Sequence, residues 1–140
     1  LSFCQYAVRL RQTSSLLSEL KLDDDHFTLG RNVSQINWFK PDGSDKASED
    51  WNAKHNKAFG VEIKGCASAH SSVEHWFLCV NASENDVRFH LPTPSKSGGW
   101  TLHLDTRYAS LDDQPSICIQ KVFLQANRSL ALFSFSEIAP

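Results

Sequence analysis

The sequence predicts an all-β fold: an antiparallel β-sandwich of about seven to eight strands, preceded by one short N-terminal helix. Three observations lead there. From about residue 36 onward, apolar and polar residues alternate with a period of two, as along a half-buried strand. The apolar runs are short and are punctuated by clusters of Pro, Gly, Asn, Asp and Ser, the residues that turns require. No helical pattern interleaves with the strands, which argues against a parallel α/β sheet.

The helix comes first. Phe3, Tyr6, Ala7 and Leu10 recur at spacings of three and four, with Arg9, Arg11 and Gln12 mostly on the other side, the period of an amphipathic helix. Ser14 and Ser15 break the pattern ahead of Leu16, Leu17 and Leu20. A short helix ahead of a strand-rich chain has to bury its stripe somewhere, and a preceding domain would provide the place. The acidic run Asp23-Asp24-Asp25-His26 lacks the glycine and distal glutamate of a calcium loop, so it reads as a solvated linker.

Ile36 and Trp38 open the first strand. Pro41-Asp42-Gly43 then forces a turn, because proline presets φ and glycine supplies conformations that a β-carbon forbids. A charged loop follows and is closed by Trp51. Phe59, Val61 and Ile63 alternate with Gly60, Glu62 and Lys64. The run Trp76 to Val80 is apolar at every position, as expected of a central strand buried on both faces. Val87, Phe89 and Leu91 mark another strand, as do Leu102 and Leu104 with Thr101 and His103 between them. Leu130, Leu132 and Phe133 mark the last. Turns are predicted at 81–86, 92–99 and 112–115.

Composition bounds the function. The chain has 140 residues, 41% of them hydrophobic, enough for one domain around one core. Its formal net charge is −2 and its basic residues are scattered, so the footprint of a nucleic-acid or anionic-membrane binder is missing. No apolar run approaches the ~20 residues that span a bilayer. Cys4, Cys66, Cys79 and Cys118 are too irregular for a disulfide scaffold, and Cys79 lies in an apolar run as a small hydrophobe would. That spacing favours a reducing compartment, and the Asn-x-Ser sequons at Asn32, Asn81 and Asn127 then read as accidents of a chain rich in Ser and Asn. The chain contains no methionine, so it reads as a piece of a longer one.

Little in the sequence points to chemistry. Acidic residues fall mostly in loops, at 23–25, 42–50 and 84–86, where they are ordinarily solvated. No Gly-x-Ser-x-Gly elbow and no phosphate-cradling glycine loop appears. Cys66, His70, Glu74 and His75 are metal-ligand types within ten residues, but they fall on one loop between two strands rather than as two opposed pairs. A polar connection is the better reading, and no metal or cofactor is expected.

The order of motifs carries a resemblance. "VRLRQTSSLL", "INWFKPDG", "EDW", "FGVEIKG", "HWFLCVNAS", "VRFHLP", "GWTLHLDT" and "SLALF" together resemble the C-terminal region of isoamylase-type glycogen debranching enzymes of the α-amylase superfamily, across nearly the whole chain. The resemblance implies that residues 1–22 are the last helix of a missing catalytic (β/α)₈ barrel plus a linker, and that 23–140 form a C-terminal β-sandwich packed on that barrel. It departs from the family at Ser44-Asp45-Lys46-Ala47, where relatives carry an acidic residue and then methionine, and at Ser14 or Ser15, where they carry proline.

Retaining glycoside hydrolysis needs two carboxylates about 5 Å apart, which these enzymes place at the ends of barrel strands. Those strands are absent, so the resemblance implies a non-catalytic accessory domain of a cytoplasmic enzyme that hydrolyses α-1,6 branch linkages of glycogen or limit dextrin. Its partners would be the barrel and, through the parent, glycogen or another α-glucan. Copies of the fragment would self-associate through the uncovered helix. Trp38, Asp42 and Trp51 are the candidate contact residues, anchoring the loop at the seam with the barrel or stacking on glycan. A stand-alone carbohydrate-binding module and an extracellular immunoglobulin-like interaction domain are the alternatives.

Overall fold

The structure is a computed structural model that describes residues 2–18, 20–23, 26–29, 33–65, 73–93, 97–108, 110, 114, 118–119 and 121–137. In chain order the elements are α1 (Ser2–Thr13), α2 (Ser15–Ser18), β1 (Leu20–Asp23), β2 (His26–Leu29), β3 (Val33–Phe39), α3 (Ser48–Asn52), β4 (Ala58–Gly65), β5 (Glu74–Asn81), β6 (Val87–His90), β7 (Gly98–Asp105), β8 (Cys118–Ile119), β9 (Val122–Gln125) and β10 (Ser129–Glu137). A six-stranded sheet of order β3-β4-β5-β10-β7-β8 forms the main layer, and two two-stranded sheets, β6-β9 and β1-β2, accompany it. Every strand pairing is antiparallel. The predicted all-β class with a leading helix therefore holds.

Period-two alternation sends successive side chains to opposite faces of the main sheet. On one face Phe77, Cys79, Trp100, Leu102, Ala131 and Phe133 bury against Phe89, Leu91 and Phe123 of the β6-β9 side. The Phe123 and Phe133 rings meet edge to face at 4.9 Å, a geometry aromatic pairs favour. Gly60 makes room on this face, because a β-carbon there would lie 2.4 Å from the Phe77 ring. The Cys79 thiol is fully buried and free, and burial, aided by nearby Asp105, raises its pKa well above the ordinary range.

On the opposite face Leu16 is fully buried with Val61, Ile63 and Trp76, and Leu10, Leu17, Ile36, Trp38, Phe59, Leu78 and Leu132 pack around them. The two helices reach this face through Ser14. Its amide donates to Leu10 O at 3.1 Å, closing α1, and its Oγ accepts the Leu17 amide at 3.1 Å, capping α2. The same hydroxyl donates to the Glu74 carboxylate, which also takes the Trp76 indole N–H at 2.8 Å. Part of the stripe that sequence assigns to a missing neighbour is thus met by this chain's own sheet, while Val8, on the outer side of α1, is 56% exposed.

Four details differ from the sequence reading. The run at 23–26 is not a plain linker: Asp23 pairs with His26 in the β1-β2 hairpin, with Asp24 and Asp25 outside the described residues. Leu102 and Leu104 do not share a face. Leu132 pairs with Leu104 but Phe133 with Leu102, so His103 is an extra residue that bulges the strand. Leu102 consequently joins the first cluster, whereas Leu104 lines a crevice beside Ala7 and Leu10 of α1. Strand β9 carries no local signal, because Val122 and Leu124 face outward, 43% and 49% exposed, which erases the alternation. Helix α3, which carries Trp51 at the end of the charged loop, also lacked a signal.

Candidate functional site

The Pro41-Asp42-Gly43 turn leaves edge strand β3 and bends back immediately. Gly43 takes φ +89°, a left-handed value that favours glycine. Lys40 donates its amide to Ser44 O at 2.8 Å, and Lys46 donates to Trp38 O at 2.9 Å. Asp42 closes the turn with its side chain: Oδ1 accepts the Ser44 hydroxyl at 2.5 Å and the Ser44 amide at 2.9 Å. Those two bonds, the hydroxyl first, hold the Asp42 carboxyl below its ordinary range. The exposed carboxylate is thus a turn former by its local bonding. His90 ties the turn to β6 by donating its amide to Pro41 O at 2.8 Å.

Helix α3 then carries Trp51 back over β3. Asp50 accepts the Ala47 amide at 2.8 Å, half of a capping box, and lies 4.0 Å from Lys40 Nζ. The Trp38 and Trp51 ring centroids are 5.0 Å apart and inclined at 76°. Phe59 of β4 completes the group at 5.8 Å from each. Lys46 Nζ sits 4.5 Å over the Trp51 ring, within cation–π range. Trp38 is half-buried, but Trp51 is 50% exposed. Trp38 is the more embedded of the two, and Trp51 rests on it.

Trp51→Ala is expected to cost the isolated chain about 0.5–1.5 kcal/mol, the scale of an aromatic pair. Trp38→Ala should cost more, though less than the ~3–5 kcal/mol of a fully buried aromatic. Urea unfolding of both variants checks this, and a Trp51 loss equal to the Trp38 loss would contradict the geometry.

The sequence pattern marks Phe59 only as a strand residue. Its role beside both tryptophans depends on the β3-β4 register, in which Trp38 pairs with Val61 and Phe39 with Gly60, and no local pattern encodes that pairing. Next to the aromatics, Ile36, Val61, Ile63, Leu78 and Val80 join Trp38 and Phe59 in lining a groove of about 280 Å³.

The other singled-out residues do not converge. Glu74 bonds Ser14 and Trp76, whereas adjacent His75 turns to the opposite face and places Nε2 2.9 Å from Glu62 Oε2. Cys66 and His70 lie outside the described residues. Glu62 also accepts the Asn37 amide at 2.9 Å. Burial alone would raise its pKa, but the His75 and Asn37 bonds outweigh that and lower it. Buried Asp105 binds the Arg107 amide at 2.9 Å and its guanidinium at 3.1 Å. The Asn81 amide is buried and donates to Asn85 O and Ala126 O at 2.9 and 3.0 Å. Asn32 lies outside the described residues. Each of these carboxylates and amides is engaged in holding the fold.

With that arrangement in view, residues 35–122 match the family model described as "Isoamylase, C-terminal". The match takes in the turn, both loop tryptophans, the groove and the β4-β5 pair. The chain belongs to the isoamylase C-terminal domain family. It is also 25% identical over 138 residues to the Glycogen operon protein GlgX homolog of Mycobacterium tuberculosis (strain ATCC 25618 / H37Rv), covering 93% of this chain and 19% of that protein. The homolog of Mycobacterium bovis (strain ATCC BAA-935 / AF2122/97) gives the same figures. This isoamylase C-terminal domain thus spans about a fifth of the length of the curated relatives it matches. Among the described residues no helix is long and apolar enough to cross a membrane.

Proposed function

We propose that this chain is the non-catalytic C-terminal accessory domain of a cytoplasmic glycogen debranching enzyme whose catalytic barrel hydrolyses α-1,6 branch linkages of glycogen or limit dextrin. Residues 1–22 are the barrel's last helix and its linker, and 23–140 are the sandwich that packs on the barrel and stabilises it. The family match over 35–122 carries this reading. Trp38, Asp42 and Trp51 belong to a loop at the seam: Asp42 shapes the turn, and the two indoles meet the barrel. Glycogen is reached through the parent. In the free fragment, copies would associate through the α1 stripe of Phe3, Tyr6, Ala7 and Leu10, each of which stays partly exposed.

The ring geometry supports the seam over a sugar platform. A glucan surface calls for rings that present flat faces side by side, whereas these are inclined at 76° with one covered by Lys46. A glycosylated extracellular module is disfavoured by the buried, hydrogen-bonded Asn81 amide and by the free Cys79 thiol.

The test compares the parent enzyme with a version truncated before this region. Truncation should lower the melting temperature of the catalytic domain, while the residual debranching rate per folded molecule survives at low temperature. An unchanged melting temperature would remove the stabilising role.

A further inference from the structure

We infer that Glu62 is a proton-operated clasp on the main sheet: ionised, it pins edge strand β3 to β4 and β5, and protonated, it releases that strand and Trp38 with it. The clasp spans three strands. Asn37 lies directly opposite Glu62 in the β3-β4 register, and His75 of β5 pairs with Lys64, two residues further along β4. Both carboxylate oxygens are taken, one from each flanking strand: Oε1 accepts the Asn37 side-chain amide and Oε2 meets His75 Nε2, each at 2.9 Å. An ionised carboxylate can only accept, so Nε2 carries the proton and donates. The Glu62 and His75 side chains are 12% and 9% exposed, so little water is at hand to replace either bond.

Strand β3 depends on this hold because it is the edge of the sheet, with β4 as its one strand neighbour among the described residues. Trp38 follows Asn37 and points to the opposite face, where it supports Trp51. A neutral carboxyl turns one of its oxygens into a hydroxyl and keeps a single good acceptor, so it cannot serve two donors. His75 is enclosed by the Trp100 ring at 4.7 Å and the Phe135 ring at 5.8 Å, whereas Asn37 is half-buried and can turn to water. The bond to β3 is therefore the one that yields. The charged and titratable groups that face Glu62 among the described residues are His75 of β5 and Lys64 of β4, and β3 presents the neutral Asn37. Burial works against the Glu62 charge, yet the His75 and Asn37 bonds outweigh it and hold the carboxyl below its ordinary range. The clasp thus contributes fully above the ordinary glutamate value of about 4.3, and its contribution is lost as pH falls through the lower value of the folded chain.

Amide hydrogen exchange of the 140-residue chain, corrected for the intrinsic rate at each pH, tests this by resolving local opening from global unfolding. As pH falls from neutral through the carboxylate range, protection of residues 35–39 should drop several-fold before that of β5 and β10 changes. Loss of protection in all three strands together would overturn the proposal, as would β3 protection that holds until the whole sheet unfolds. Glu62→Gln sets an amide N–H against one of the two donors, so its β3 protection should already be low at neutral pH and flat with pH. A variant that keeps the wild-type pH profile would overturn the proposal as well. If Glu62→Gln does not fold, the order of loss in the wild-type series decides the matter by itself.

Discussion

Replacing Trp100 with alanine is expected to leave little folded protein at physiological temperature. The side chain is fully buried. Its ring lies 5.9 Å from Phe77, 5.4 Å from Phe135 and 4.7 Å from His75. Its indole N–H donates to Pro92 O at 3.0 Å, tying β7 to the connection that follows β6. Truncation opens a cavity in the first core cluster and deprives that carbonyl of its donor. Losses of ~3–5 kcal/mol are typical for such a site, against the ~5–15 kcal/mol that holds a domain together. Circular dichroism melting will show it. Trp100→Phe should fall between wild type and alanine, because it retains a ring and loses the donor. A Trp100→Ala protein that melts near wild type would contradict the core assignment.

Leu16→Ala should be the next most damaging change. Leu16 is fully buried among Val61, Ile63 and Trp76, and leucine truncation in a core costs ~2–5 kcal/mol. On sequence grounds alone, removing residues 1–20 ought to leave a sound and more monomeric sandwich. The contacts of Leu16 and the Ser14–Glu74–Trp76 hydrogen bonds lead to a different expectation: removal uncovers the second cluster and lowers the melting point of the sandwich itself. Val8→Ala, on the exposed side of α1, should have little effect. If Leu16→Ala melts like Val8→Ala, the helices do not help to hold the sheet.

What sequence could disclose follows from how local each signal is. The central position of β5 was legible because a strand buried on both faces must be apolar at every position, as Trp76 to Val80 is. Trp100 was legible as core because it opens an alternating strand. The Pro41-Asp42-Gly43 turn was legible because its residues carry their own backbone preferences. The bulge at His103 was not: one inserted residue reverses the facing of everything beyond it without altering the composition. β9 was hidden by outward Val122 and Leu124, and the β1-β2 pairing by an acidic sequence from residue 23 that carries no strand pattern. The inequality of Trp38 and Trp51 was out of reach as well. Exposure of an indole is decided by the strand register that brings Phe59 and Lys46 beside it, and those partners lie far from any local pattern.

The role proposed for this chain is to support a debranching enzyme without performing its chemistry. Five of its described carboxylates hold turns, caps and strands: Asp42 with Ser44, Asp50 with Ala47, Glu62 with His75, Glu74 with Ser14 and Trp76, and Asp105 with Arg107. Retaining glycoside hydrolysis instead needs one carboxylate free to attack and a second about 5 Å away to donate a proton. The most direct measurement is the release of reducing ends from glycogen, pullulan and limit dextrin by the purified 140-residue chain. The account predicts a rate equal to the buffer blank. Turnover above that blank, abolished by substituting a carboxylate of this chain, would contradict it.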